Sequence, residues 1–361
     1  LNKLYSDKVI DKVLMRGNDA ICEAAIRAGC AAYFGYPITP QNEMPAYMSE
    51  HMLQRGRIFI QAESETAAVV MVYGASCAGA RAMTSTSSPG MSLKQEGISY
   101  AAGADIPCVI VNVARGGPGL GNIAPAQGDY FQATRGGGHG DYYCIVLAPQ
   151  SVQECADLTY LAFDLADKYR TPVIILADGM VGQMVEGVVL PPERDMNDLP
   201  KRPWAVGRMA NRLSHHITSL DLDPNKLASF TLARFERYQK IKQEETRFEA
   251  TDVDDADITL VAYGTSARVC LGAKKLAKKE GIKVGLFRLI TLWPFPFDAL
   301  GAIAKNGKPF LAVEMSLGQM VEDVRLSALS NAPVHLLGRT GGVIPTEEEV
   351  FAEVKSILGR N

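Results

Sequence analysis

The chain has 361 residues, enough for two domains or one large one, and 47% of them are hydrophobic, so a buried core is expected without disulfides or metals. Lys and Arg (37) nearly balance Asp and Glu (40), leaving a formal net charge of -3. No basic stripe stands out that would follow a phosphodiester backbone, and nucleic acid is excluded as an expected partner.

Residues 1–12 scatter Lys3, Asp7, Lys8, Asp11 and Lys12 among apolar neighbours. No signal-peptide core is expected there, and the initial Leu reads as an alternative start codon or trimming. Strands are predicted at 32–36, 58–61, 82–86, 108–113, 144–147 and 172–177, with helices between them at 19–28, 65–77 and 152–168. Strands alternating with helices of that length predict a parallel sheet with helices on both faces. The most apolar stretch, 67–83, is rich in Ala and Gly and is cut by Arg81, so no membrane span is expected and the protein reads as soluble and cytoplasmic.

Next comes a polar stretch marked by Pro191, Pro192, Pro200, Pro203 and Pro224, whose charged part over 232–248 looks helical; it reads as a linker with a surface helix. A second βα series follows, with strands at 258–263, 283–289, 310–314 and 334–337 and a helix at 267–279. The expected division is therefore a first domain over 1–190, a linker over 191–255 and a smaller parallel-sheet domain over 256–361.

Cys22, Cys30, Cys77, Cys108, Cys144, Cys155 and Cys270 contain no Cys-x-x-Cys pair, so this chain is not expected to hold an iron–sulfur cluster. Thiols scattered in apolar contexts fit a reducing compartment, where free Cys acts as a small buried hydrophobe.

Two glycine-rich segments interrupt the first domain. In Arg115-Gly116-Gly117-Pro118-Gly119-Leu120-Gly121 a dinucleotide loop starting at Gly117 would need glycine at position 122, which is Asn122, and no Walker Gly-Lys-Ser/Thr is present. The plain alternative is a turn needing positive φ angles. In Arg135-Gly136-Gly137-Gly138-His139-Gly140-Asp141, His139 is read either as a loop residue or as a catalytic one. Both loops adjoin strands, where ligands collect in open α/β sheets.

Three segments go beyond architecture: Gly35-Tyr36-Pro37-Ile38-Thr39-Pro40-Gln41-Asn42-Glu43, Glu63-Ser64-Glu65-Thr66-Ala67-Ala68 and Asn112-Val113-Ala114-Arg115-Gly116-Gly117-Pro118. With Gln127-Gly128-Asp129 and Gly138-His139-Gly140-Asp141 they closely resemble the α-subunit type of 2-oxoacid:ferredoxin oxidoreductases. Gly-Leu-Gly-Asn after Gly-Gly-Pro is most similar to the branched-chain (3-methyl-2-oxobutanoate) group. The resemblance spans nearly the whole chain, taking in Gly318-Gln319-Met320, Val324-Arg325 and Gly338-Arg339-Thr340-Gly341-Gly342.

The resemblance implies an α/β fold: a doubly wound, pyrimidine-type thiamine-diphosphate-binding domain followed by a transketolase C-terminal-like domain. It implies Glu65 as the catalytic carboxyl, with Thr39, Arg115, Pro37, Ile38 and Gly116 at the substrate and Tyr36, Asn122, Gln127 and His139 beside the cofactor. This superfamily holds pyrophosphate and Mg²⁺ with a Gly-Asp-Gly motif and a later Asn; here Gly128-Asp129 is followed by Tyr130 and Gly140-Asp141 by Tyr142. The metal site is therefore expected on a partner β-type subunit, with a γ-type subunit and a ferredoxin-like subunit carrying 4Fe–4S clusters. Coenzyme A is the expected co-substrate.

Thiamine chemistry needs a carboxyl hydrogen-bonded to the aminopyrimidine, so that the ring's own nitrogen can act as a base. Such a carboxyl shares a proton with a weakly basic nitrogen, which desolvation favours and a helix N-terminus opposes. Glu65 opens an Ala/Val-rich helical run; a simple capping role, or Glu63 in its place, are the alternatives. A 2-oxoacid carboxylate suits the donor fork of Arg115 and the Thr39 hydroxyl, against a surface ion pair for the first and a turn or helix cap for the second. The expected reaction converts a branched-chain 2-oxoacid to an acyl-CoA. The alternatives are 2-oxoglutarate, pyruvate or an aryl glyoxylate as substrate, a non-catalytic assembly subunit, or a generic nucleotide-binding protein, which the glycine spacings disfavour.

Overall fold

The computed structural model describes residues 12–207 and 215–360; the amino-terminal segment considered for a signal core lies outside them up to position 11, as does a short part of the expected linker. The chain runs through β1 (Val13–Arg16), α1 (Gly17–Arg27), β2 (Ala32–Gly35), α2 (Glu43–Gln54), β3 (Ile58–Gln61), α3 (Glu65–Cys77), β4 (Ala82–Thr86), α4 (Ser88–Gly103), β5 (Cys108–Ala114), α5 (Tyr130–Thr134), β6 (Ile145–Leu147), α6 (Val152–Tyr169), β7 (Pro172–Asp178), α7 (Gly179–Gln183) and β8 (Val185–Val188). It continues with α8 (Pro224–Glu244), β9 (Phe248–Thr251), β10 (Ile258–Ala262), α9 (Gly264–Lys279), β11 (Val284–Leu289), β12 (Thr291–Trp293), α10 (Phe297–Ala304), β13 (Phe310–Glu314), α11 (Met320–Ala328), β14 (Val334–Gly338) and α12 (Glu347–Ile357).

Seven strands form one sheet in the order β12-β6-β7-β5-β4-β2-β3, parallel except for β12. β5 and β7 are near-continuous apolar runs buried at every position, as a parallel strand covered on both faces must be. Helices α1 and α6 pack against each other, as do α3 and α4. A second sheet has the order β14-β13-β10-β11-β9, with β9 antiparallel, and β1 and β8 pair as a short antiparallel ribbon.

Alternation along the second sheet divides its side chains between two cores. Ile258, Leu260, Ala262, Val284, Leu286, Leu311 and Val313 cluster with α9 and α12, while Val261, Phe287, Leu289, Phe310 and Ala312 join the large core of the first sheet. The α/β architecture expected from the sequence is therefore the one adopted, with the two sheets sharing buried apolar surface.

Several elements differ from the sequence reading; the ribbon strands β1 and β8 were not predicted. The linker helix starts earlier, at Pro224, because Asp223 caps it (Oδ1 accepts from Asn225 N at 2.9 Å) and proline is favoured in the first turn. It ends at Glu244, and Phe248 instead begins β9, paired with Leu289. Strand β12 was not predicted: Thr291–Trp293 is three residues ahead of Pro294, and only pairing with Val146 and Leu147 makes it a strand. Tyr238 of α8 packs edge-on to Trp293 at 5.5 Å, which fastens the linker helix to that corner.

All seven cysteines are buried. Among the described residues no helix is long and apolar enough to cross a membrane, and no three His, Cys, Asp or Glu side chains converge as metal ligands.

Candidate active site

Loops that leave the carboxyl ends of parallel strands share one edge of the sheet. Tyr36, Pro37, Ile38 and Thr39 follow β2, Glu65 lies just beyond β3, Ser87 follows β4 and Arg115 follows β5, four strands adjacent in the sheet.

Glu65 is the first residue of α3, whose cap is Ser64: its Oγ accepts from Ala67 N at 3.1 Å. Only 6% of Glu65 is exposed, whereas Glu63 is an exposed residue, so burial separates two carboxylates that chemistry alone left equal. Space for the Glu65 carboxylate depends on Gly90 of α4. A Cβ there would lie 2.7 Å from Glu65 Oε1 and 2.1 Å from Thr86 Oγ1. Lys94 Nζ donates to the Glu65 main-chain carbonyl at 3.1 Å, and no protein donor among the described residues reaches the carboxylate itself.

Arg115 is buried. Its Nη1 donates to the Thr39 carbonyl at 2.9 Å and Nη2 to the Leu120 carbonyl at 3.1 Å, while Nε has no partner. No carboxylate pairs with it among the described residues, so the surface ion pair considered for Arg115 is not what the structure contains. Thr39 does not cap α2, whose N-cap is Asn42; its Oγ1 accepts from Asn42 Nδ2 at 3.0 Å, which leaves its own O–H to donate elsewhere.

After Arg115 the chain folds into a closed loop. Gly116 N donates to the Ala124 carbonyl and Asn122 N to the Gly116 carbonyl, both at 2.9 Å. Gly121 takes φ +56°, and a Cβ on it would fall 1.8 Å from the Gly116 oxygen, so the glycines serve loop closure. This loop and those after β13 and β14 enclose a cleft of about 450 Å³, whose lining includes Arg115, Pro118, Asp129, Met315, Leu317 and Thr340.

The remaining singled-out residues differ in their surroundings. Gln127, buried, joins the sheets: Nε2 donates to the Tyr263 carbonyl, and Oε1 accepts from Ser266 Oγ and Met315 N, each at 2.9 Å. Asn122 ties its loop to the second domain through Nδ2 and the Gly341 carbonyl at 2.9 Å. His139 is exposed, stands edge-on to Tyr100 at 6.2 Å, and its carbonyl accepts from Ser99 Oγ at 2.7 Å. Ser99 is about three helical turns along α4 from Ser88, roughly 16 Å, so His139 is not gathered with Arg115. Pro37 is exposed, Tyr36 and Ile38 are half-buried, and the carbonyls of Tyr36 and Ile38 accept from Gln41, through Nε2 (3.3 Å) and main-chain N (3.0 Å) respectively.

Asp129 and Lys94 were not singled out as site residues. Asp129 accepts from Ser88 Oγ at 2.6 Å and Asn112 Nδ2 at 2.8 Å; burial pushes its carboxyl above the usual range, and these two donors offset part of the rise. Its signal was the Gly-Asp step itself. Lys94 is fully buried, and burial lowers its amine from 10.5 to about 7 against the opposing effect of the Glu65 charge. The overlooked signal was a lysine on the apolar stripe of α4. Thr86 Oγ1, Ser87 Oγ, Asn112 Oδ1 and Arg115 Nε are all buried without partners. Thr86 and Asn112 are neighbours across β4 and β5, so these unmet polar atoms collect at the same sheet edge.

Comparison with known proteins agrees in extent and in kind. Residues 23–257 match the family described as pyruvate flavodoxin/ferredoxin oxidoreductase, thiamine diphosphate-binding, and residues 256–350 match pyruvate:ferredoxin oxidoreductase core domain II. The chain is 49% identical to ketoisovalerate oxidoreductase subunit VorB of Methanothermobacter marburgensis, over 96% of this chain and 98% of the relative. It is 36% identical to 2-oxoglutarate synthase subunit KorA of Methanothermobacter thermautotrophicus, over 94% of this chain and 97% of that one. The structure of 2-oxoglutarate:ferredoxin oxidoreductase from Magnetococcus marinus, with 2-oxoglutarate, coenzyme A and succinyl-CoA bound, superposes with a TM-score of 0.88 at 29% identity, covering 96% of this chain and 65% of that one. A split gene transketolase shares the fold, with a TM-score of 0.56 at 13% identity over 96% of this chain and 98% of that one.

Proposed function

The chain belongs to the 2-oxoacid:ferredoxin oxidoreductase family, as an α-type member of its branched-chain group, and from that premise we propose that it forms the pyrimidine half of a shared thiamine-diphosphate site. In this reading the complex oxidatively decarboxylates a branched-chain 2-oxoacid to an acyl-CoA. The observation that carries it is a pair of buried side chains of opposite charge type, Glu65 and Arg115, neither in an ion pair among the described residues, beyond the carboxyl ends of strands of one parallel sheet.

The residues fit the cofactor. Buried polar atoms without partners lose on the order of 1–3 kcal/mol each, and four collect beside Glu65 and Arg115, where a polar ligand would satisfy them. Gly90 keeps the space before the Glu65 carboxylate open. Glu65 would hold the aminopyrimidine and share a proton with its ring nitrogen. Thiamine diphosphate, when bound, supplies the nucleophilic carbon and the electron sink for decarboxylation. Arg115 and the Thr39 hydroxyl hold the oxoacid carboxylate, and burial strengthens that grip by excluding water.

The cleft supports a monocarboxylic substrate. Arg115 is the sole cation among its lining residues; Pro89, Pro118, Ala126, Met315 and Leu317 are apolar, Asp129 is acidic, and the other side chains, such as Ser88, Gln319 and Thr340, are polar and uncharged. A second substrate carboxylate, as in 2-oxoglutarate, would find no second cation on this wall and would face Asp129. An aliphatic branch would find apolar surface.

We assign residues 1–190 to the pyrimidine-type domain, 191–255 to the linker and 256–361 to the second domain. With no Gly-Asp-Gly motif here, Mg²⁺ and the pyrophosphate belong to a β-type partner. Electrons pass to 4Fe–4S clusters on a ferredoxin-like subunit, and a γ-type subunit completes a cytoplasmic complex that uses coenzyme A. The test is purification of the native complex and assay of a panel of 2-oxoacids with coenzyme A and a low-potential acceptor. Branched-chain oxoacids are expected to be the best substrates, and absence of any oxoacid-dependent reduction overturns the proposal.

A further inference from the structure

The geometry points to Lys94 as a positioning residue for Glu65, holding the first turn of α3 in place and setting the charge beside its carboxylate. This rests on the role given to Glu65 above and adds a residue that the motifs did not suggest.

Helix α4 buries Gly90, Met91, Lys94, Gln95, Gly97, Ile98, Ser99, Ala101 and Ala102. Lys94 is the one charged residue among them, and it has no exposed surface. Its Nζ donates to the Glu65 carbonyl and to Thr84 Oγ1, both at 3.1 Å, and pairs with no carboxylate among the described residues. Two glycines bracket it. A Cβ at Gly90 would lie 2.7 Å from Glu65 Oε1, and one at Gly97 would lie 2.5 Å from Val69 Cγ1, so α4 approaches α3 closely on both sides of Lys94. The amine therefore links the residue that opens α3 to strand β4.

Core packing alone does not account for this choice. A methionine has similar length and fills the space without the penalty of an unpaired buried amine. The groups able to act on that amine are few. Neighbouring α3 carries Glu65, Tyr73 and Cys77; β4 has no titratable side chain; β5 has Cys108; β7 has Asp178, which is held by Thr265; and α4 itself has exposed Glu96 and Tyr100. Of these, Glu65 is the one whose charge favours the protonated amine, against the larger effect of burial. Burial places the amine's titration at about 7, where its charge is gained or lost in the working range.

The test compares Lys94→Met with wild type in the assembled complex, reading thiamine diphosphate affinity, the pH dependence of the bound cofactor's near-ultraviolet circular dichroism, and kcat separately from KM. The expected result is cofactor affinity and oxoacid KM within about threefold of wild type, a fall in kcat of about tenfold or more, and a shift of about one unit in the pH at which the dichroism changes. A wild-type kcat with an unmoved transition overturns the assignment and reduces Lys94 to packing. Should Lys94→Met not assemble, Thr84→Val keeps the lysine and removes one acceptor; a smaller shift of the same transition supports the role, and no shift overturns it. Glu65→Gln separates the two readings. If that variant keeps both activity and the transition, the Glu65 role fails; if it loses them while the Lys94 and Thr84 variants stay unchanged, only the Lys94 inference fails.

Discussion

The Arg115 guanidinium donates to the Thr39 carbonyl at 2.9 Å, joining the end of β5 to the loop after β2 while its Nε stays without a partner. One side chain thus shapes the proposed substrate loop and keeps a positive charge free of carboxylates. Replacing Arg115 by Ala removes both. A hydrogen bond to a charged group contributes about 1.5–3 kcal/mol, so the oxoacid KM is expected to rise roughly 10- to 100-fold in steady-state assays. An unchanged oxoacid response would remove Arg115 from the substrate site.

Glu65→Gln keeps the volume of the side chain and removes the proton that Glu65 is proposed to share. Oxoacid-dependent acceptor reduction in the assembled complex is expected to fall by about 10²–10⁴-fold, the range for a positioned acid or base. Its circular dichroism in the far ultraviolet should match wild type, since the Glu65 carboxylate has no hydrogen-bond donor among the described residues.

Gly90→Ala tests the space before that carboxylate. The added Cβ meets Thr86 Oγ1 at 2.1 Å and Glu65 Oε1 at 2.7 Å, so one of them must move. Overpacking of this kind is expected to lower stability by about 1–3 kcal/mol in denaturant melts and to depress kcat more than KM. Wild-type kinetics would show that the carboxylate does not need this geometry.

Lys94 also makes stability depend on pH. Its amine holds a proton less tightly in the folded chain (about 7) than in the unfolded one (10.5), so the folded state is penalised fully below about pH 7 and progressively less as pH rises toward 10.5. The full deficit is on the order of 5 kcal/mol. Lys94→Met is therefore expected to unfold later than wild type at about pH 6, roughly one unit below the amine's value, with the gap closing in melts run at progressively higher pH. A gap that stays constant with pH would contradict the buried amine's titration.

Gln127→Ala probes the joint between the sheets. Three buried hydrogen bonds to Tyr263, Ser266 and Met315 lose their partner, each worth roughly 1–3 kcal/mol when left unmet. A marked drop in thermal midpoint is expected, with oxoacid KM affected less than in Arg115→Ala. A larger KM effect than melting effect would place Gln127 at the ligand instead of the joint.

Much of the architecture was legible because it is local. The β4, β13 and β3 segments and α3 lie where hydrophobic period and turn residues put them, and the glycines after β5 close a turn, the plain alternative that their spacing left open. Strand β12 was not legible, because three residues beside a proline carry no strand signal until Val146 and Leu147 pair with them. The same distinction runs through the site. The order and spacing of its motifs identify the family, since they depend only on which residues occur where. The burial of Glu65 but not Glu63, the absence of a counter-ion for Arg115, the use of Gln127 and Asn122 as ties, and the lysine behind Glu65 were settled by tertiary structure, because exposure and partners depend on residues distant in the chain.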